Sequence, residues 1–155
     1  MKTLILVRHA KSDWPEDTED FDRPLAERGI KDATEMAKNL FEKELKVDYF
    51  LTSPAKRTVE TCDIFSKKYG KSFETAEKLY HPSEKNFLSV ILSLDDSNEA
   101  VAVFSHNNGI SNFANSLSED IVHFPTCGVA LYNIDCEQWS NFENAEKKLV
   151  AFFKP

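Results

Sequence analysis

Apolar positions along the 155 residues fall into two kinds of run. Leu4-Ile5-Leu6-Val7 and Ala100 to Phe104 are apolar throughout, with no polar alternation, which suits strands buried on both faces. Ile30, Ala33, Ala37, Leu40 and Phe41 recur at helical spacing and predict an amphipathic helix reaching about Leu45. Val47 to Leu51 reads as another strand, followed by Ser53 as an N-cap and Pro54 at a first helical position. Val59, Cys62, Phe65 and Tyr69 continue that helix until Gly70 ends it. Phe73 to Ala76 reads as a short strand. Phe87, Val90, Ile91 and Leu94 mark a third helix, capped by Ser83, and Ile110, Phe113, Ala114 and Leu117 a fourth. Val129 to Ile134 and Leu149 to Phe153 form a closing pair of strands, for which antiparallel pairing is open, and the polar stretch 11–24 reads as a loop. Strands alternating with helices predict a three-layer α/β/α sandwich around a mostly parallel sheet. With no linker, repeat or low-complexity stretch, a single domain over 1–155 is expected.

Composition narrows the partners. The formal charge of −7 and the pI near 5.1 disfavour nucleic acid and anionic membrane, and no dense run of Lys and Arg offers a local exception. Cys62, Cys127 and Cys136 are odd in number and scattered, so they predict reduced thiols rather than a disulfide framework or a zinc site. The apolar run 4–7 is too short for a signal-peptide core, and nothing approaches transmembrane length, so a cytoplasmic protein is expected.

In mostly parallel sheets ligands bind beyond the carboxyl ends of the strands, so the residues just after each strand are the candidates for chemistry. The first strand delivers Arg8 and His9. The second delivers Thr52 and Ser53, with Arg57 one turn into the next helix. The strand ending at Phe104 delivers Ser105, His106 and Asn107. Two guanidiniums and two imidazoles on one sheet edge suit a doubly charged oxyanion, since arginine's planar fork matches phosphate oxygens and stays charged. No Cys sits with an Arg in a phosphate-cradling loop, and neither a Gly-x-Ser-x-Gly elbow nor a P-loop is present. His9 remains as nucleophile, able to carry a phosphoryl group while Arg8, Arg57 and a protonated His106 stabilise the oxygens in transfer. No carboxylate follows a strand to complete a metal-ligand set, and the arginines oppose a cation, so neither a metal nor another cofactor is expected.

Arg8-His9-Ala10, Ser53-Pro54-Ala55-Lys56-Arg57-Thr58-Val59-Glu60-Thr61 and Ser105-His106-Asn107-Asn108-Gly109-Ile110 resemble the motifs of the histidine phosphatase superfamily, which includes phosphoglycerate mutases and acid phosphatases. Further blocks are similar to its small SixA-like phosphohistidine phosphatases: Arg8-His9-Ala10-Lys11-Ser12-Asp13-Trp14, Asp20-Phe21-Asp22-Arg23-Pro24-Leu25, Arg28-Gly29, Leu79-Tyr80, Pro125-Thr126 with Gly128, and Leu149-Val150 with Phe152. The resemblance spans essentially the whole chain. It implies His9 as nucleophile, Arg8 and Arg57 as phosphate ligands and His106 as the second catalytic histidine. Ala26 departs from the pattern where relatives often carry a Ser or Thr helix cap. The acidic proton donor of many members has no clear counterpart either, leaving His81 and Glu84 as the nearby candidates.

These readings converge on a metal-independent phosphatase acting through phosphohistidine. The favoured substrate is phosphohistidine on a protein. The rivals are a small phosphorylated metabolite such as a sugar phosphate and, from another class, a non-catalytic phosphopeptide-binding module.

Overall fold

The computed structural model describes residues 1–155. Six strands, β1 (Lys2–Arg8), β2 (Tyr49–Thr52), β3 (Glu74–Thr75), β4 (Ala100–Ser105), β5 (Val129–Ile134) and β6 (Lys147–Phe153), form one sheet in the order β3-β2-β4-β1-β5-β6. β3, β2, β4 and β1 run parallel, whereas β5 pairs antiparallel with β1 and with β6. The mostly parallel sheet with an antiparallel closing pair is therefore observed.

The unalternated strands earn their composition by facing two cores. Leu4 and Leu6 of β1, with Val101 and Val103 of β4, join Phe87, Ile91, Phe113, Trp139 and Phe142 on one face. Ile5 and Val7, with Ala102 and Phe104, join Ala33, Met36, Leu40, Cys62 and Phe65 on the other. Helices α1 (Glu27–Glu42) and α2 (Lys56–Lys68) cover this second face, and α3 (Glu84–Leu92) and α4 (Gly109–Leu117) the first. All three cysteines are free and buried, and burial pushes the Cys62 and Cys127 thiols well up, Cys127 to about 12.

Local signals hold in some places and yield in others. Ser83 does cap α3, in a capping box with Asn86. Gly70 follows α2 with φ +67°, the left-handed conformation that suits glycine. Ala26 sits at the α1 N-cap and gives no side-chain cap. Two apolar positions assigned to the buried stripe of α1 prove exposed, Ile30 at 49% and Phe41 at 46%; Ala33, Met36, Ala37 and Leu40 carry the stripe instead. Phe41 is covered edge-on by Tyr69 and by the Lys68 ammonium. Ser53 is not the N-cap of α2, which begins at Lys56 after Ala55, because its hydroxyl is engaged elsewhere. No helix is long and apolar enough to cross a membrane.

Candidate active site

The carboxyl edge of the parallel strands opens into a cavity of about 410 Å³ that contains Arg8, His9, Arg57 and His106 together. Each is brought there by a short, heavily clamped segment. The His9 amide donates to Ser105 O (3.2 Å), and the Arg8 and Cys127 amides bond Gly128 O (3.1 Å) and His9 O (3.0 Å), so β4 and the approach to β5 grip the end of β1 from both sides. Gly128 is required in that grip, since a Cβ there would lie 2.9 Å from the Pro125 ring. Thr61, facing inward from α2, accepts from the Ala10 amide (3.0 Å) and donates to Arg57 O (2.8 Å). The buried face of α2 is thus unusually polar, with Arg57, Thr58 and Thr61 all turned toward the site.

The tautomers of both histidines follow from their partners. His9 Nδ1–H donates to the Ala10 carbonyl (2.7 Å), which leaves Nε2 unprotonated, its lone pair accepting only a long hydrogen bond from Arg57 Nε (3.4 Å). An imidazole held in this way presents a nucleophilic nitrogen without first losing a proton. Arg57 Nη2 donates to His106 Nδ1 (3.2 Å), so the His106 proton resides on Nε2, facing Ser53 Oγ (2.7 Å) and Thr58 Oγ1 (3.2 Å). The two rings stand 5.3 Å apart.

Electrostatics keep both rings neutral. Burial, with the cations Arg57, Arg8 and Arg23 nearby, lowers the His9 pKa to about 4 against the opposing bond to Ala10. Burial, then His9 and Arg57, lowers His106 to about 3, with Asp20 opposing. The protonated His106 expected from sequence is therefore corrected: the ring accepts from Arg57 and is neutral near pH 7. Burial and the neighbouring Arg57 likewise lower Arg8. Arg8 Nη1 donates to Phe124 O (2.9 Å), while its Nε is buried with no partner, an orphan donor at the wall of an anion site.

These shifts predict an acid-sensitive fold. Folded-state values below the ordinary histidine value mean that the unfolded chain binds more protons as pH falls. The stabilisation is complete above about pH 6.5 and drains away toward pH 4 and 3, at up to about 1.4 kcal/mol per pH unit for each ring. Thermal melts between pH 7 and 4.5 should show a falling Tm, with a shallower fall in His106→Asn. A flat Tm over that range would contradict the neutral buried pair.

Asp20 was not anticipated. It comes from the 11–24 loop, where it lies in a 3-10 turn, Asp20–Asp22, and its carboxylate takes hydrogen bonds from Arg57 Nη2 (3.1 Å), Tyr80 OH (2.7 Å) and Arg23 Nη1 (3.2 Å). Its backbone oxygen accepts from Arg57 Nη1 (2.7 Å). Burial opposes ionisation, yet Tyr80, Arg57 and Arg23 together hold its pKa down at about 2, so it is a fixed carboxylate and not an acid. Lys11, Ser12, Arg23 and Thr126 also line the cavity and were missed. Arg23 is pinned between Ser12 Oγ (2.8 Å) and the face of Trp14 (4.4 Å). The only foreshadowing was the Asp20 to Leu25 block, which carried resemblance without showing where its side chains go.

The two proton-donor candidates separate. His81 lines the cavity, exposed at its mouth with its ring 4.0 Å from that of Tyr80. Glu84 opens α3 and lines a different cavity with Pro82, Ser83 and Asn112, away from the two histidines.

A buried Arg57, a half-buried Arg8 with an orphan guanidinium donor and the neutral rings of His9 and His106 thus meet at the carboxyl edge of the parallel strands. A profile described as "Histidine phosphatase superfamily (branch 1)" matches residues 4–81, half of the chain, and the protein belongs to that superfamily. Uncharacterised proteins of Mycobacterium leprae (28% identical over 163 residues) and Mycobacterium tuberculosis (29% over 160) align across 96% of this chain and 99% of their own length. In the same fold, the Agrobacterium tumefaciens protein assigned as phosphohistidine phosphatase SixA superposes with a TM-score of 0.86 at 25% identity, covering 99% of this chain and 98% of that one. The protein histidine phosphatase SixA complexed with tungstate shares the fold at a TM-score of 0.84, 18% identity, and coverage of 98% and 96%.

Proposed function

We propose that this protein hydrolyses phosphohistidine on a protein through a covalent phosphohistidine formed on His9, with no metal ion. The observation that carries the reading is the unprotonated His9 Nε2, locked in that tautomer by Ala10 O and only loosely held by Arg57, inside a cavity with four cationic side chains and one carboxylate already ionised.

In the first step the Nε2 lone pair attacks phosphorus, the new N–P bond forms, and the substrate's N–P bond breaks in line. The departing imidazole keeps the proton already on its other nitrogen and leaves neutral. Arg8 and Arg57 receive the phosphoryl oxygens, Arg8 with its unpartnered Nε. His106, neutral, accepts from Arg57 at Nδ1 and so holds that guanidinium in place against the phosphoryl oxygens as charge builds. In the second step water attacks phosphorus, the bond to His9 breaks, its pair returns to Nε2, and dihydrogen phosphate leaves. Arg8 and Arg57, with Lys11 and Arg23 lining the same cavity, supply the positive charge that magnesium gives in other phosphoryl-transfer sites, so activity should survive exhaustive chelation. A strict need for an added divalent ion would contradict this.

The substrate class follows from leaving groups. An alkoxide needs an acid within reach, and the one carboxylate in the cavity, Asp20, has no proton to give. The specificity constant for phosphohistidine should therefore exceed that for phosphoserine in the same peptide by at least about 100-fold, the scale of one absent general acid. His81 favours a second reading, a small-metabolite phosphatase, because it puts an exposed imidazole in the lining of the catalytic cavity, where it could serve a departing group as acid. His81→Ala should leave the phosphohistidine constant within threefold of wild type, and Glu84→Ala likewise. Equal constants for the two substrates, or collapse of the phosphohistidine rate in His81→Ala, would put the metabolite reading ahead.

A further inference from the structure

Three elements of the sequence have no assigned step in the chemistry above: Lys11, the Arg28-Gly29 pair and the residue after Pro125, Thr126. The fold brings them to one place, a second cavity of about 410 Å³ whose walls include Lys11, Arg28, Asp32, Thr126 and Lys154. Lys11 and Thr126 also line the catalytic cavity, so the two spaces adjoin across a shared wall.

The cavity is cationic by construction. Arg28 Nε bonds both Asp32 oxygens (3.0 and 3.2 Å), while its two Nη groups have no protein partner and the side chain is 69% exposed. Lys11 and Lys154 are exposed and enter none of the ion pairs of the fold. Lys11 is fixed in the backbone: its carbonyl accepts from the Ala26 amide (2.9 Å), and a Cβ on Gly29 would sit 2.0 Å from that same oxygen. Gly29 is thus the residue that lets α1 close onto Lys11 and seats Arg28 beside it. Six of the chain's nineteen Lys and Arg line the two adjoining cavities, with only two of its twenty-six Asp and Glu, both ion-paired. On a protein of net charge −7, such a concentration attracts anions to this edge.

We infer that the second cavity binds an acidic side chain of the substrate polypeptide, close to its phosphohistidine. This rests on the phosphohistidine reading and extends it to the substrate's sequence. Exposed ammonium groups act as mobile point charges suited to a solvated carboxylate, while the paired forks of Arg8 and Arg57 retain the advantage for the phosphoryl group. The catalytic cavity therefore does not lose its dianion to its neighbour.

Phosphohistidine peptides differing only in Glu or Ala at the flanking positions test this directly. In about 50 mM salt the Glu peptide should show a kcat/KM about five- to tenfold higher, the scale of two or three exposed ion pairs. The ratio should fall below twofold in Arg28→Gln/Lys154→Ala, and in wild type at about 0.5 M salt, where screening removes exposed pairs. Lys154→Glu, a substitution at an exposed position that should fold normally and that changes the charge by the same two units, should also bring the ratio below twofold. Equal constants for the two peptides in the wild-type protein, or a preference untouched by these substitutions, would overturn the inference while leaving the activity standing. Failure to turn over either peptide would instead overturn the phosphohistidine reading, and the inference with it.

Discussion

His9→Ala should abolish turnover of every substrate, by at least about 10⁴-fold in kcat, because the variant loses the atom that forms the bond to phosphorus. The fold should survive. His9 contributes one hydrogen bond to Ala10 O and receives a long one from Arg57, and its loss leaves that carbonyl short of a partner, a cost of about 1 kcal/mol. Removing a buried ring that resists protonation offsets part of this at low pH. The comparison is therefore between kcat, which collapses, and Tm at pH 7, which moves by a few degrees. A His9→Ala protein with kcat within tenfold of wild type would mean that the nucleophile lies elsewhere.

Arg57→Ala carries the second large effect. Arg57 is 5% exposed and reaches His9, His106 and both the backbone and carboxylate of Asp20 through its three nitrogens. Losing a positioned donor to the phosphoryl oxygens should lower kcat/KM by about 10²- to 10³-fold. Arg57→Lys should recover only a small part, since one ammonium cannot replace a fork that bridges both rings. The substitution also strips Asp20 of its principal partner, so the carboxylate rises from about 2 toward its ordinary range and the 11–24 loop loses an anchor. Activity in Arg57→Ala comparable to wild type would remove it from the phosphate site.

How much of this was legible depends on whether the signal is local. The two-faced burial of β1 and β4 was readable from unbroken apolar runs, because a strand covered on both faces has no side left for polar residues. Arg8, His9 and His106 were readable because strand ends are fixed once strands are, and Arg57 because it lies one helical turn beyond a strand. Asp20 was not. It sits in an irregular loop whose path is set by contacts distant in sequence: the Leu25 amide on Glu60 (2.9 Å), Tyr80 on Asp20 (2.7 Å), and Arg57 itself. Ser53 misled for the opposite reason. Ser-Pro before a helix is a sound capping signal, yet the hydroxyl accepts the His106 Nε2 proton and so sets that ring's tautomer. Ile30 and Phe41 fit the helical period, but the stripe of α1 that meets the sheet runs through Ala33, Met36, Ala37 and Leu40 and leaves both outside it. A buried polar site outbids local preference at each position it recruits, and the sequence does not mark the recruits.

The central claim is a phosphoryl group carried on His9 Nε2, and trapping it is the most direct measurement. The enzyme is mixed with a phosphohistidine peptide in excess, quenched in alkali within milliseconds, digested and mapped for phosphate by mass spectrometry. Phosphohistidine survives base and is lost in acid, so one phosphoryl group should appear on the peptide holding Arg8-His9-Ala10, vanish on brief acid treatment, and be missing from His9→Ala. A base-stable phosphoryl group on any other residue, or turnover with no phosphoenzyme at any quench time, would contradict the account.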